Sequence, residues 1–245
     1  VNIVEDFGLE FGIWMEPERV SARAPVRKKY PQWFIEGEDD YYYPDLLQEE
    51  ARDWVYREMK RIVETYRVQW LKIDCNFDFS PDPYQQGHRA RLQHWYNILE
   101  KLKKEFSHLI IEGCSSGGLR NDLNTCSHFH THFISDTVDP LDTLRITTST
   151  LQRLPPGKIY QWAVVYPLAG GFTPYGNSPK ETGDLVLSPR LATSKKVTSY
   201  HLDFVLRAAM IGRMGMSGNI AGLSPDLKEE LSHHISFYKK YRNFM

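Results

Sequence analysis

Hydrophobic and polar positions along the chain follow two periodicities, and their alternation predicts repeated strand and helix units. Short apolar runs predict strands, and longer stretches with apolar residues three and four positions apart predict helices. The predicted strands cover residues 9–15, 68–74, 109–112, 130–135, 159–166 and 213–217. The predicted helices cover residues 48–66, 88–106, 195–212 and 225–243, with another beginning near Pro140 and a weaker one after the third strand. This repeated order predicts an α/β fold with a parallel sheet.

Polar residues follow the ends of successive predicted strands. They are Glu16, Asp74 with Asn76, Cys114, and Asp136. In a TIM (β/α)8 barrel the carboxyl ends of all strands converge on one mouth, where such enzymes carry out their chemistry. The pattern therefore favours a TIM barrel over an open doubly wound sheet.

The predicted β/α units are about two short of a closed barrel. We expect residues 1–245 to form one catalytic (β/α)8-barrel domain, with about six of the eight units present and the N-terminal portion of the barrel missing. The stretches 17–47 and 167–190 are predicted to be loops over the mouth.

Composition and charge exclude several classes of function. The chain has 41% hydrophobic and 25% charged residues, as globular domains do, and a net charge of −1 that offers no global attraction to nucleic acid or to anionic membrane. No apolar run approaches the length of a membrane span. The N-terminal residues lack a signal-peptide pattern, which slightly favours the cytoplasm, although an upstream signal would leave the compartment open. Assembly into a homo-oligomer is also left open.

The segment "LKIDCN" contains the most informative polar cluster. Lys72, Asp74 and Asn76 occupy alternate positions, so on a strand they would share one face. Buried polar groups are costly unless they satisfy one another or a ligand. Lys72 would keep Asp74 ionised by lowering its pKa, whereas Asp136 has less obvious positive charge nearby and could keep its proton. One ionised and one protonated carboxyl group suit glycoside cleavage.

The chain resembles the glycoside hydrolase family 36 α-galactosidases along nearly its whole length. The segments that carry the resemblance are "FGIWMEPERV", "YPQWF", "LKIDCN", "EGCSSGGLRND", "ISDTVDPLDTLR", "GMSGNIAGLS" and the closing "YKKYR". They are similar, in the same order, to family segments such as Trp-x-Glu-Pro-Glu, Lys-Trp-Asp-Met-Asn and Glu-x-Cys-x-Ser-Gly-Gly-x-Arg-x-Asp. Several motifs in the right order are far more specific than any one of them.

The resemblance implies a retaining, exo-acting enzyme that removes terminal α-linked galactose from oligosaccharides. It implies that Asp74 is the nucleophile and Asp136 the general acid/base, with no metal and no cofactor. The implied substrate-binding residues are Lys72 on the sugar hydroxyls, Asn76, Cys114 and Gly117 lining the same subsite, Trp14 and Glu16 shaping its wall, and Arg120. Arg120 either orients a neighbouring carboxylate or forms an ordinary structural pair, and the sequence favours neither role. A paired-Asp segment of the family falls in the missing upstream part, so we expect this chain to lack part of its own binding site.

Several positions depart from the family pattern. Ile73 stands in place of Trp, Cys75 in place of Met, Phe77 where Arg is common, and Thr137-Val138 in place of Asn-Thr. Because both presumed catalytic Asp residues are retained, the reaction class is better supported than the substrate. Galactose is the expected sugar, and N-acetylgalactosamine or another α-linked sugar remains an alternative.

Three other functions are compatible with parts of the sequence. "GCSSGG" matches the nucleophile elbow of an α/β-hydrolase, with Ser115 as nucleophile and His201 as its base, which would make an esterase. "HFHTH" places His128, His130 and His132 on alternate positions, a pattern compatible with a metal face on a barrel strand. A carbohydrate-binding protein without turnover is the third alternative, although a binding module has no need of a nucleophile beside a proton donor.

Overall fold

The structure is a computed structural model, which describes residues 1–37, 40–76, 87–165, 167–168, 171–172, 202–218 and 220–244. These residues divide into two compact units, Val1–His130 and Thr131–Met245. Each unit contains three parallel strands and the helices that connect them, so the predicted α/β class is confirmed.

The first unit contains one parallel and one antiparallel group of strands. The parallel strands, in the order β1-β5-β6, are β1 (Gly12–Met15), β5 (Trp70–Ile73) and β6 (Ile110–Gly113). The antiparallel strands, in the order β2-β4-β3, are β2 (Val20–Ser21), β3 (Phe34–Glu36) and β4 (Tyr41–Pro44). The helices are α1 (Asn2–Asp6), α2 (Pro25–Lys29), α3 (Glu49–Tyr66), α4 (His88–Glu105) and α5 (Leu123–His128).

The second unit repeats the strand-then-helix order. Its parallel strands, in the order β7-β8-β11, are β7 (Thr131–Phe133), β8 (Ile159–Val165) and β11 (Arg213–Gly218). The short strands β9 (Pro167–Leu168) and β10 (Gly171–Phe172) pair antiparallel. The helices are α6 (Pro140–Thr150), α7 (Leu202–Ala209) and α8 (Pro225–Tyr241). Every strand predicted for the parallel sheet is present, with ends that differ by at most three residues.

The core of the first unit packs α3 and α4 against the parallel strands. Met59 of α3 and Leu99 of α4 are fully buried in the same cluster as Leu71 and Ile73 of β5 and Ile111 of β6. Because side chains alternate along a strand, burying Leu71 and Ile73 against the helices turns Lys72 to the opposite face. The hydrophobic pattern of β5 therefore determines which face carries its polar residue.

The helices of the second unit begin at residues that favour helix initiation. Asp139 caps α6 by accepting hydrogen bonds from the N–H groups of Leu141 and Asp142, and Pro140 occupies the first turn. Ser224 caps α8 in the same way. In the described part of the chain, none of the helices has both the length and the apolar character needed to cross a membrane.

Two sequence predictions need correction. The stretches 17–47 and 167–190 are not simply loops. The first contains α2 and the antiparallel strands β2, β3 and β4, and the second contains the described strands β9 and β10. Strand β5 ends at Ile73, so Asn76 reaches its neighbours from the segment after the strand and not from the strand face. Most of 167–190, and residues 195–201 of the predicted helix 195–212, lie outside the described residues.

Candidate active site

The candidate site of the first unit lies where three parallel strands end. Strands β1, β5 and β6 end at Met15, Ile73 and Gly113. The backbone ladder continues one residue further, because the N–H of Asp74 donates to the carbonyl of Met15 (2.9 Å) and the N–H of Cys114 donates to that of Ile73 (2.8 Å). This register brings Asp74 and Cys114 together at the carboxyl edge of the sheet.

Asp74 is a buried carboxylate surrounded by hydrogen-bond donors. Its Oδ2 accepts from the indole N–H of Trp14 (3.0 Å), and its Oδ1 accepts from the backbone N–H groups of Cys75 (2.8 Å) and Ser116 (3.3 Å). Only 7% of the residue is exposed. The donors come from β1, from the end of β5 and from the loop after β6, so the carboxylate is held from three elements.

These contacts explain the protonation state of Asp74. Burial by itself raises the pKa of a carboxyl group. For Asp74, hydrogen bonds from the side chains of Trp14, Cys114 and Asn76 and from the backbone of Cys75 outweigh burial, and the pKa lies below its usual value. The lowered pKa agrees with the sequence prediction, but hydrogen-bond donors and not Lys72 are its principal cause.

Lys72 is paired with a residue that sequence reasoning did not select. Its Nζ lies 3.2 Å from Oε1 of Glu112, and the two residues are directly opposite each other on β5 and β6. Burial raises the pKa of Glu112, and Lys72 and Trp70 act against that effect. A Glu within the apolar strand "LIIE" was the available signal, because a buried carboxylate requires a partner.

The loop after β6 connects Asn76 to the rest of the site. The Oδ1 of Asn76 accepts from the N–H (3.1 Å) and from the hydroxyl (3.0 Å) of Ser116. Ser116 (φ 41°) and Gly117 (φ 78°) both have left-handed backbone conformations, so the chain turns sharply at this point. This turn directs the N–H of Ser116 toward both Asp74 and Asn76. Ser116 is thus another site residue that the sequence analysis missed.

Residues at the end of β1 form the opposite side of the site. The Oε1 of Glu16 accepts from the backbone N–H of Asn76 (2.9 Å). Trp14 donates its indole N–H to Asp74 while 51% of the residue remains exposed. An exposed aromatic ring fixed beside a carboxylate is a surface on which an apolar face of a sugar ring can pack.

Arg120 forms a structural ion pair. Its Nη1 lies 2.7 Å from Oε1 of Glu18, which is buried, and the charge of Glu18 raises the pKa of Arg120 in spite of desolvation. This pair joins the segment after β1 to the segment after β6. Of the two roles left open for Arg120, this contact favours the structural ion pair.

Asp136 belongs to the second unit. It lies three residues after the end of β7 and three residues before Asp139, the cap of α6, in a segment without regular structure. The residue is half-buried. The hydroxyl of Ser135 accepts from the N–H of Thr137 (3.1 Å), which fixes the backbone on both sides of Asp136.

Two alternative sites lose support. The hydroxyl of Ser115 donates to the backbone carbonyl of Cys75 (2.9 Å), and the residue is buried, unlike the exposed serine of a nucleophile elbow. His201 lies outside the described residues.

The histidines of the other alternative have partners within the protein. His128 ends helix α5, where its Nδ1 lies 2.8 Å from Glu100, and Nδ1 of His130 accepts from the N–H of Ile111. His128 therefore lies in a helix and His132 in strand β7, so the three histidines do not form one strand face.

A separate cluster in the second unit offers three metal-ligand side chains. Asp203, Glu230 and His234 bring their ligating atoms within 4.8 Å of one another. The Oδ1 of Asp203 accepts from Nε of Arg207 (2.7 Å) and lies 3.0 Å from Nε2 of His234. Since Arg207 already pairs with this carboxylate, we do not interpret the cluster as a metal site. The absence of a metal remains a prediction.

Comparison with known proteins decides the family. The family model described as melibiase matches residues 1–168, which include Trp14, Lys72, Asp74, Cys114 and Asp136. The chain belongs to the melibiase family. The family match therefore spans both units.

Curated relatives of this melibiase-family chain are named as α-galactosidases. Alpha-galactosidase Mel36A of Lactobacillus acidophilus is 23% identical over 98% of this chain and 32% of its own length. An alpha-galactosidase of Escherichia coli is 28% identical over 64% of this chain and 23% of its own length. The chain thus spans about a third or less of the length of these relatives.

Solved structures share the fold of this melibiase-family chain. The galactosidase domain of the α-galactosidase–sucrose kinase AgaSK aligns with a TM-score of 0.78 at 24% identity, over 98% of this chain and 31% of that one. A variant of the GH36 α-galactosidase AgaA from Geobacillus stearothermophilus, in complex with stachyose, aligns with a TM-score of 0.79 at 20% identity, over 98% of this chain and 32% of that one. At these identities the likeness establishes the fold alone.

Proposed function

We propose that this chain is part of the catalytic domain of a retaining exo-α-galactosidase. The observation that carries the proposal is the environment of Asp74, an ionised and buried carboxylate held by several donors beside an exposed tryptophan. Membership of the melibiase family and relatives named as α-galactosidases support the sugar specificity. We further propose that residues 1–245 supply about six units of a (β/α)8 barrel and that the remaining strands lie elsewhere in the protein.

In this proposal Asp74 is the nucleophile and Asp136 the general acid/base. An oxygen of Asp74 attacks the anomeric carbon, the glycosidic bond breaks, and Asp136 gives its proton to the leaving oxygen. Asp136 then removes a proton from water, whose oxygen displaces Asp74 from the anomeric carbon with net retention. The lowered pKa of Asp74 supports the first step, because only the ionised carboxylate can attack.

The other site residues take binding roles. Lys72 binds sugar hydroxyls, Asn76, Cys114 and Gly117 line the same subsite, and Trp14 and Glu16 form its wall. Arg120 acts indirectly, through its ion pair with Glu18. The substrate we propose is an oligosaccharide with a terminal α-linked galactose. Assembly into a homo-oligomer stays a prediction.

Trapping the glycosyl–enzyme intermediate tests sugar, mechanism and nucleophile together. The full-length protein is incubated with a fluorinated α-galactosyl probe, digested, and analysed by mass spectrometry. We expect the label on the peptide that contains Asp74. The matching α-N-acetylgalactosaminyl probe is the control for the alternative sugar. A label on another carboxylate, or labelling by the control probe alone, would contradict the proposal.

Replacing Asp74 by Asn provides the kinetic test. The amide nearly preserves the shape of the side chain but cannot attack the anomeric carbon. We expect kcat for a nitrophenyl α-galactoside to fall more than about 100-fold, which corresponds to about 3 kcal/mol in the activation barrier. A variant that keeps more than about a hundredth of the wild-type kcat would show that Asp74 is not the nucleophile.

A further inference from the structure

The pair formed by Lys72 and Glu112 joins two neighbouring strands on their polar face. The residues are direct partners in the parallel register of β5 and β6, and Nζ of Lys72 lies 3.2 Å from Oε1 of Glu112. The other oxygen, Oε2, accepts from the indole N–H of Trp70 at 2.6 Å. Glu112 is only 1% exposed. Both oxygens are therefore held by side chains of β5, two residues apart.

A buried glutamate in this position affects the charge balance of the site. Burying a carboxylate within a sheet is strongly unfavourable unless a cation and hydrogen-bond donors compensate for the lost hydration. Burial raises the pKa of Glu112, Lys72 lowers it, and the charge of Asp74 raises it again. The charge of Asp74 thus acts on Glu112, the carboxylate that pairs with Lys72.

The ammonium of Lys72 has two carboxylates with which an ion pair is chemically possible, Glu112 and Asp74. Lysine carries a compact charge with three N–H donors on a flexible stem, so its position depends on its strongest anionic neighbour. A closed ion pair with Asp74 would stabilise the ionised carboxylate and reduce its tendency to attack carbon. An ammonium paired with Glu112 has its charge balanced there and not by Asp74.

We propose that Glu112 is a positioning residue that acts through Lys72. Its carboxylate holds the ammonium so that the cation faces the sugar hydroxyls and does not close onto Asp74. The indole N–H of Trp70 fixes the orientation of Glu112 and so the position of the charge. This inference rests on the proposed function only for its catalytic consequence, because the effect of Glu112 on Lys72 can be measured without turnover.

A double-mutant cycle tests the catalytic consequence in the full-length protein. Glu112→Gln keeps the shape and one acceptor for Trp70 but removes the charge that holds Lys72. We expect kcat/KM for a nitrophenyl α-galactoside to fall about tenfold or more. In a Lys72→Met background, where no ammonium remains to be positioned, the same change should have almost no further effect. If the two losses multiply independently, Glu112 does not act through Lys72 and the proposal fails.

A control separates positioning from general loss of stability. Glu105→Gln removes another carboxylate of the same unit, which accepts from Tyr56 and Lys60 on the helical side. It should leave kcat/KM unchanged. Leu99→Ala, in the buried core, calibrates how kcat/KM responds to destabilisation alone. If Leu99→Ala lowers kcat/KM as much as Glu112→Gln at an equal loss in Tm, the role of Glu112 is only structural.

The chemical reactivity of Lys72 gives a readout that needs no activity. Acylation by acetic anhydride, quantified by mass spectrometry relative to Lys103, reports how accessible the Lys72 nitrogen is and how firmly it is held by its partner. Without the charge of Glu112, Lys72 should be acylated several-fold faster in Glu112→Gln than in the wild type. An unchanged rate would overturn the proposal. If the wild-type protein cleaves no α-galactoside, the proposed function fails, and this measurement alone decides whether Glu112 controls Lys72.

A milder variant is available if Glu112→Gln does not fold. Trp70→Phe keeps the aromatic ring and removes the donor to Oε2, so Glu112 is less firmly oriented while its charge remains. We expect a smaller change in the same direction, both in kcat/KM and in the acylation of Lys72. A folded Trp70→Phe protein with wild-type values for both would contradict the proposal.

Discussion

The hydrogen bond from Trp14 to Asp74 can be removed without removing the aromatic ring. Trp14→Phe deletes the indole N–H that lies 3.0 Å from Oδ2 of Asp74. Because 51% of Trp14 is exposed, the smaller ring loses less buried area than it would at a core position. The principal loss is therefore one hydrogen bond to a charged group, worth about 1.5–3 kcal/mol.

The sign of the pH effect follows from the lowered pKa of Asp74. A carboxyl group whose pKa is lower in the folded state contributes stability above its unfolded pKa, and this stability is lost as pH falls through the folded pKa. Among the contacts that lower the pKa of Asp74, the one with Trp14 is the largest. Trp14→Phe should therefore raise this pKa, reduce stability at neutral pH, and reduce it less in acid.

The assay is the pH dependence of kcat/KM for a nitrophenyl α-galactoside, measured on the full-length protein. Because the nucleophile must be ionised, the acidic limb of the profile should move to higher pH in Trp14→Phe. Trp95→Phe, a change in the buried core of the same unit, is the control and should lower Tm without moving that limb. An acidic limb that stays in place, or moves to lower pH, would refute the reasoning.

Three further changes test the fold. Arg120→Met should lower the free energy of unfolding by about 3–5 kcal/mol, because it leaves buried Glu18 without its cation. Arg61→Met, which breaks an exposed ion pair, is the control and should change the free energy of unfolding little. Both values are measured by chemical denaturation. Leu71→Ala, at a fully buried position, should cost about 2–5 kcal/mol in the same measurement, and a loss below about 1 kcal/mol would contradict the core assignment. Gly218→Ala should lower Tm far more than Gly8→Ala. Both glycines have positive φ, so the backbone strain of an alanine is common to both. A Cβ at Gly218 would lie 1.9 Å from the carbonyl oxygen of Val165, whereas one at Gly8 would meet nothing within 4 Å. Equal losses for the two glycines would contradict the close approach of β11 to β8.

The sequence was sufficient where structure depends on neighbours along the chain. Helical periodicity identified α3 and α4, and the apolar runs identified β5, β6 and β8, because both signals come from residues within a few positions of one another. Motif order was likewise sufficient to indicate the family, since motifs are read along the sequence. The ends of the strands were predicted less accurately, because a strand ends where its hydrogen bonds to the neighbouring strand end.

The tertiary structure alone decided which groups meet. Lys72 has a carboxylate two residues away in sequence, yet it pairs with Glu112 across the register of two strands. Arg120 and Glu18 are 102 residues apart, and no periodicity relates them. The donors to Asp74 come from separate segments because the strand order places those segments side by side.

For this protein, the amino-acid sequence by itself indicated the strands of the parallel sheet, the α/β class and the candidate acids, since these depend on local pattern, whereas the antiparallel strands β2, β3 and β4 were found only in the structure. The groups that keep Asp74 ionised and the position of Lys72 were decided only by the fold. Both depend on distances of about 3 Å between side chains remote in sequence, over which electrostatic and hydrogen-bond energies change steeply.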